Sequence, residues 1–358
     1  MRIEVNCELI RQNTETVVQI CAQDGIAVAG VTKACCGHPD VARAMLAGGV
    51  ALLAESRLAN VRRLRAAGID AEIMMLRLPG LSQVEEVVRL AQVSLNSQIE
   101  TVRALSRAAS AQGLDHQVIL MVETGDRREG LMPDRVLDTA RQILCLPNIE
   151  LVGLGANTTC IAGVLPTREN TQIVVDLASE LEQILAVRLP VLSAGNSASL
   201  ALLLRDEMPG RANQLRIGGA ILIGEVDSTG DWPRALPHQD AFTACAEVVE
   251  VETKPSVPEG PIAPNAFGDV PQWPDLGPRQ RAILAMGRQD LQVESIRPQR
   301  PGISILGASS DHLVLDVTEA EPPVRLGEEL WFRLLYGAIA TGMASSTATK
   351  VVQPIQQS

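Results

Sequence analysis

A single amine closes the apolar run Ile26-Ala-Val-Ala-Gly-Val-Thr-Lys33, and the chain then turns through Ala34-Cys-Cys-Gly-His-Pro39. Parallel α/β proteins gather their chemistry at the C-terminal tips of their strands. An ammonium partly withdrawn from water there has a lowered pKa, and the neutral amine can act as a base or form a Schiff base. A surface lysine just past a strand end is the plain alternative, and position alone leaves both open. Other tips carry polar groups: Glu55, Arg77, Asn96, Glu123 with Asp126 and Arg128, Asn157 with Cys160, Asn196-Ser197, and Arg216 with Gly218-Gly219. Asn96, Asn157 and Asn196 read equally well as helix N-caps. Two tips have the makings of a phosphate cradle. Ser193-Ala-Gly195-Asn-Ser197-Ala-Ser199 leads into a helix, whose free N–H groups and a hydroxyl suit an anion. Ile217-Gly218-Gly219-Ala220 lets backbone approach a ligand closely because glycine lacks Cβ. An amine on the first strand and a phosphate cradle on the last two describe a phosphorylated ligand that an amine can attack.

These groups need a scaffold. Short apolar runs occur at Ile26–Lys33, Val50–Glu55, Glu72–Arg77, Val93–Asn96, Gln117–Glu123, Glu150–Asn157, Pro190–Gly195 and Gln214–Leu222. Helix-period segments such as Arg57–Ala67, Ser97–Ala111, Asp134–Cys145 and Arg168–Ala186 lie between them, and a helix over about Cys7–Asp24 precedes the first. Alternating β and α elements predict a parallel sheet, and eight units predict a closed (β/α)8 barrel. A dinucleotide fold fits less well, because Gly153-Leu-Gly155-Ala-Asn-Thr lacks the third glycine and comes at the sixth strand. From about Trp232 the pattern becomes strands without helices: Val248–Thr253, Arg281–Ala285, Ile303–Leu306, His312–Val317 and Glu329–Leu335. Between the first two, Lys254–Pro278 holds seven of the 21 prolines and reads as an irregular loop. The expected architecture is an α/β chain: a (β/α)8 barrel over 1–230, then a smaller, mainly β domain over 231–358.

Composition narrows the function classes. With 31 basic against 42 acidic residues, the net charge of −11 argues against a surface for nucleic acid or an anionic membrane. Aromatic residues make up only 2%, so Tyr336 is the single phenol available for acid–base work. Seven cysteines, an odd number with no C-x-x-C spacing, read as reduced thiols rather than a disulfide framework or zinc site. No signal-peptide pattern and no membrane-length apolar run is present, so a soluble cytoplasmic protein is expected.

The residues also match a family. Val31-Thr-Lys33-Ala-Cys-Cys-Gly37, Val122-Glu-Thr-Gly-Asp-Arg-Arg-Glu-Gly130, Gly155-Ala-Asn-Thr-Thr-Cys160 with Pro166-Thr167, and Ala194-Gly-Asn-Ser197 carry the likeness. So do Arg216-Ile-Gly218, Lys254-Pro-Ser256, Arg288-Gln-Asp290 and Gly307-Ala-Ser-Ser-Asp-His312. Over nearly its whole length the chain resembles the alanine-racemase-like (fold-type III) pyridoxal-phosphate enzymes, and within them the ornithine racemase group. The resemblance implies pyridoxal 5'-phosphate as cofactor and a homodimer in which the partner's β domain completes each site. It implies that Lys33 forms the internal aldimine and removes the α-proton on one face. It sets Arg216 against the pyridine nitrogen, where a guanidinium makes the cofactor a weaker electron sink than an Asp would. Ser197, Gly218 and Gly219 then match phosphate ligands, Arg128 a group near the phenolic oxygen, and Asn157 a further cofactor contact.

Departures from the family bear on mechanism. Phe267 stands about where alanine racemase has the tyrosine serving as second base, and phenylalanine carries no proton. About Met121 occupies the place of its carbamylated lysine, and Cys35-Cys36-Gly37 replaces the stretch with its phosphate-binding tyrosine. The opposite-face base is then sought among Asp311, His312, Cys160 and Tyr336. The Asp311-His312 pair is favoured, as acid and imidazole on a β-domain turn. A distal ammonium on the substrate would need Asp126, Glu225 or Asp311, which the sequence does not rank. The expected activity is an isomerase, a pyridoxal-phosphate-dependent racemase of a basic amino acid such as ornithine. The alternatives are a metal-assisted D-amino-acid aldolase or dehydratase of the same fold, or a non-catalytic pyridoxal-phosphate homeostasis protein. No metal site is expected.

Overall fold

The computed structural model describes residues 1–225 and 236–355, and the chain divides into two compact units. One gathers Met1–Asn6 and Asp240–Gln353, and the other runs over Cys7–Gln239. The boundary expected near residue 230 lies outside the described residues. The assignment of the first residues to the barrel needs correction. Arg2-Ile-Glu-Val-Asn6 forms a strand, β1 (Arg2–Asn6), of the sheet unit. Its Ile3 and Val5 are fully buried while their neighbours are not, the period-2 pattern of a one-sided strand.

The larger unit begins with the helix Cys7–Ala22. Eight parallel strands then close a barrel in chain order: β2 (Ala27–Val31), β3 (Leu52–Glu55), β4 (Ile73–Met75), β5 (Val93–Asn96), β6 (His116–Met121), β7 (Ile149–Gly155), β8 (Val191–Ser193) and β9 (Gln214–Ile217). β9 pairs back onto β2, setting Ala29 beside Arg216. All eight expected strands are present, but the last apolar run overshoots. The strand stops at Ile217, and Gly219–Ile223 is a short helix.

Alternation sorts each strand's side chains. Ala29 and Val31, Leu52 and Ala54, Met74, Val93 and Leu95, Ile119 and Met121, and Val152 form one buried cluster drawn only from strands, the barrel interior. The intervening residues, such as Val118 and Leu120, pack with Val136, Ala140, Ile143, Val174 and Leu181 of the outer helices. Both faces are dry, which is why parallel strands read as unbroken apolar runs. Truncating fully buried Leu120 to alanine should cost roughly 2–5 kcal/mol.

The sheet unit contains β10 (Phe242–Pro255), β11 (Pro278–Leu284), β12 (Ile296–Pro298), β13 (Ser304–Ala308), β14 (Leu313–Asp316), β15 (Glu329–Leu334) and β16 (Thr349–Gln353). Its order is β12-β15-β10-β11-β14-β13, and β1 lies between β10 and β16. Phe242 and Phe332 are among its buried side chains. A helix, Tyr336–Ala344, follows β15, and the domain is mainly β as expected. Residues 256–277 carry no regular element, as their prolines imply. Trp273 and Phe267 of that loop lie under the guanidinium groups of Arg281 and Arg288, 5.7 and 4.7 Å from the ring centres.

Candidate active site

Lys33 opens a short turn, Lys33–Cys35, directly after β2 and Thr32. The turn closes because the Cys36 N–H donates to the Lys33 carbonyl and the Gly37 N–H to the Thr32 carbonyl, at 3.2 and 3.1 Å. Gly37 sits at φ +60°, and a Cβ there would lie 2.8 Å from Cβ of Asn60. Only glycine lets the turn seat against the helix Leu58–Ala66. The Lys33 side chain stays accessible at the barrel mouth, yet the surrounding wall removes much of its hydration. Burial is the main cause that holds its amine below the usual lysine range. Arg128 and Arg216 push the same way, while Cys160 and Glu55 oppose them. Proximity to these four groups is what a surface lysine would lack.

Arg216 faces inward on β9. Its Nη1 donates to the Ser193 carbonyl at 3.1 Å and to Ser193 Oγ, and its Nη2 donates to the Ala156 carbonyl at 2.7 Å and Asn157 Oδ1 at 3.4 Å. Burial pushes the guanidinium down to about 10, which leaves it charged at neutral pH. Asn157 Oδ1 also accepts from Asn196 Nδ2 at 3.2 Å. Asn196 is an N-cap, accepting the Ala198 N–H at 2.9 Å. Asn96 is no cap. Its Nδ2 donates to the Ser94 carbonyl and to Ser94 Oγ, and Ser94 Oγ bonds His116 Nε2 at 2.8 Å, all of it buried.

The expected cradle residues also meet. Ser197 Oγ accepts the Ala220 N–H at 3.1 Å, joining the tip after β8 to the helix Gly219–Ile223 after β9. A Cβ on Gly218 would stand 2.7 Å from the Val31 carbonyl oxygen, so glycine lets the β9 tip close onto β2, next to Lys33. Arg128 donates to Cys160 Sγ and pairs with Glu129. Lys33, Arg128, Asn157, Ser197, Arg216, Gly218 and Gly219 are thus all at the mouth of one barrel. An accessible amine below its usual pKa, charged guanidinium groups, and hydroxyl and first-turn N–H donors form a set that fits an aldehyde bearing a phosphate.

Three expected groups have other employment. Asp126 is buried and accepts the N–H of Cys160 and Ile161 at 3.3 and 3.1 Å, so both its oxygens hold the loop after β7. It is poorly disposed to bind a distal ammonium. Asp311 and His312 lie on the turn between β13 and β14 of the sheet unit, with Tyr336 elsewhere in that unit. Asp311 Oδ2 accepts from Ser310 Oγ at 2.6 Å, and the His312 N–H donates to Ser309 Oγ at 3.0 Å. Among the described residues the two side chains form no ion pair with each other, so the coupled pair suggested by their adjacency does not form. Glu225 lies at the end of the first described segment.

Sequence reasoning missed the hydroxyl of Thr124. It is buried without a partner among the described residues and lines the same small cavity as Asn157, Ala194 and Gly195. Only its position, one residue after Glu123, signalled it.

Against this geometry the comparisons are direct. Residues 5–225 match the family model described as alanine racemase, N-terminal domain, and the chain belongs to that family. The family's cofactor is pyridoxal 5'-phosphate. The chain is 36% identical over 350 residues to an ornithine racemase of Acetoanaerobium sticklandii, covering 98% of each chain. It is 35% identical over 353 residues to a lysine racemase of Thermotoga maritima, covering 99% of this chain and 98% of that one. An alanine racemase structure from Streptomyces lavendulae superposes with a TM-score of 0.74 at 18% identity, covering 99% of this chain and 97% of that one, which shows the shared fold.

Proposed function

We propose that the protein is an isomerase that racemises a basic amino acid of the ornithine and lysine class. The observation that carries the reading is Lys33, an accessible amine with a lowered pKa at the tip of β2, in a chain of full-length likeness to an ornithine racemase and a lysine racemase. Lys33, Arg128, Asn157, Ser197, Arg216, Gly218 and Gly219 would hold pyridoxal 5'-phosphate. When bound, that group supplies an electron sink that makes the Cα proton of an amino acid removable.

The chain's own residues do the rest. Lys33 Nζ, whose pKa burial and the two arginines lower, takes the Cα proton on one face. Arg216 is charged at neutral pH and only donates, so it orients without supplying a proton. Arg128 and Ser197 hold anionic oxygens, and Gly218 keeps the β9 tip close to Lys33. A proton must return from the opposite face. We assign that role to His312, with Asp311 beside it on the same turn, contributed by the sheet unit of a second copy in a homodimer. An exposed imidazole on a turn is suited to such a role. Seven free cysteines favour the cytoplasm.

The test is racemisation of the common amino acids read by chirality, with deuterium wash-in at Cα. Ornithine or lysine should racemise and exchange from either enantiomer, and Lys33→Ala should lose about 10³-fold or more. Absence of wash-in with every amino acid would end the racemase reading. Cleavage of a β-hydroxy amino acid would favour the aldolase alternative, and a borohydride-reducible protein inert to all amino acids would favour the homeostasis role.

A further inference from the structure

Glu55 ends β3 with a fully buried side chain, and no cation lies within ion-pair distance of it among the described residues. Burying a carboxylate without a partner is expensive, so its surroundings need an explanation. Oε2 accepts from Thr32 Oγ1 at 3.0 Å, and Thr32 is the fully buried residue immediately before Lys33. Oε1 accepts the N–H of Ser56 at 2.6 Å and of Arg57 at 3.3 Å. Those amides precede the first turn of the nine-residue helix Leu58–Ala66, whose dipole favours an anion there. Asn60, on the same helix, is a further buried donor that favours the carboxylate.

The same helix grips the turn that bears Lys33. Asn60 packs against Gly37, Arg63 donates to the Cys36 carbonyl, and the Thr32 N–H donates to the Ala54 carbonyl at 3.1 Å. Glu55 is therefore the junction of β3, the helix and the Lys33 turn. We propose that Glu55 is a positioning residue for Lys33: it fixes the reactive turn through Thr32 and keeps a negative charge behind the amine. The inference rests on the reading of Lys33 as the reacting group.

Every charged group found to act on Lys33 can be named. Arg128 and Arg216 favour the neutral amine, as burial does, and Cys160 and Glu55 favour the ammonium. Glu55 is itself held above the usual carboxylate range, by burial against the donors of Ser56, Asn60, Thr32 and Arg57, and its charge also acts on the buried Cys35 thiol. Lys33 must be neutral to take a proton and charged once it has taken one. The arginines serve the first state and Glu55 the second.

Glu55→Gln keeps the size, can still accept from Ser56 and can donate to Thr32 Oγ1, so it removes chiefly the charge. Glu55→Asp keeps the charge. The full chain freed of cofactor is acetylated competitively across pH, and Lys33 is read by peptide mass spectrometry. Glu55→Gln should move the Lys33 titration to lower pH by about half a unit or more, and Glu55→Asp should leave it near wild type. In the loaded enzyme Glu55→Gln should lower kcat about tenfold or more, with KM little changed and the acidic limb of the kcat profile shifted. A folded Glu55→Gln whose Lys33 titrates as in wild type overturns the proposal. Retained racemisation in Lys33→Ala overturns the underlying reading instead, so the two failures are distinct. If Glu55→Gln does not fold, a Glu55→Asp titration displaced as far as that predicted for Gln counts against the charge.

Discussion

Arg216 Nη2 donates to the carbonyl oxygen of Ala156 at 2.7 Å, tying β9 to the tip of β7 across the intervening β8. The same side chain satisfies the Ser193 carbonyl. Arg216→Met should strip both acceptors of a charged donor inside the barrel and destabilise the protein by about 2–3 kcal/mol. Arg216→Lys keeps the charge but not the fork that spans two tips. Thermal unfolding measures the first effect, with Arg216→Lys falling between Met and wild type. An unchanged melting temperature in Arg216→Met would show that the guanidinium serves ligand contact alone.

Asp126 holds two backbone amides with its two oxygens. Asp126→Asn leaves one acceptor and should loosen the loop that carries Cys160, at a cost of about 1–2 kcal/mol. Steady-state kinetics with ornithine and with a neutral amino acid then separate two roles. A loop anchor predicts that kcat/KM falls by a similar factor for both. A loss confined to the basic substrate would instead make Asp126 the partner of the distal ammonium.

His116 lies fully buried against Ser94, and burial pushes its imidazole down to about 4 from 6.5, with a backbone contact at Ala91 opposing. The unfolded chain binds this proton from about pH 6.5 downward, while the folded chain resists until about 4. Stability from the neutral imidazole is therefore complete above pH 6.5 and is lost as pH falls toward 4. That shift is worth about 3 kcal/mol by pH 4. Urea titrations at pH 7.5 and pH 5 should show wild type weakening more than His116→Gln. Parallel losses in both proteins would clear His116 of the effect.

Gly218 gives way to no side chain, since a Cβ would meet the Val31 carbonyl at 2.7 Å. Gly218→Ala should push the β9 tip off β2 while leaving the barrel folded. Pyridoxal 5'-phosphate titration should show Kd raised about tenfold, or 1.4 kcal/mol. Binding as tight as wild type would place the phosphate away from this tip.

Much of the barrel was legible because both its strand faces are dry: Ile26–Lys33 or Gln117–Glu123 contain hardly a polar residue. The overshoot into Gly219–Ile223 has the same origin, since an apolar run does not distinguish a strand from a buried helix turn. β1 was missed although Ile3 and Val5 alternate correctly, because five residues ahead of a strong helix give little signal, and their partners lie hundreds of residues away. At the site, residue type named Lys33 and Arg216, and the structure supplied their partners. What it altered was occupancy. Asp126 and Asp311 read as available acids and Asn96 as a tip group or a helix cap, yet each is engaged by a neighbour. Hydrogen-bond satisfaction depends on packing, and spacing along a chain does not encode it.

β1 pairs in parallel with β16, from Arg2 beside Thr349 to Asn6 beside Gln353. During synthesis that ladder cannot form until residues 349–353 have left the ribosome. The (β/α)8 barrel is built from contacts between successive segments and can assemble meanwhile, whereas β1 must wait, apolar on one face, for its last partner. Loop closure over such a span is slow. A ribosome stalled before residue 242 should carry a protease-resistant barrel with Arg2–Asn6 still open to cleavage, since β10 is the first of its two partner strands to emerge.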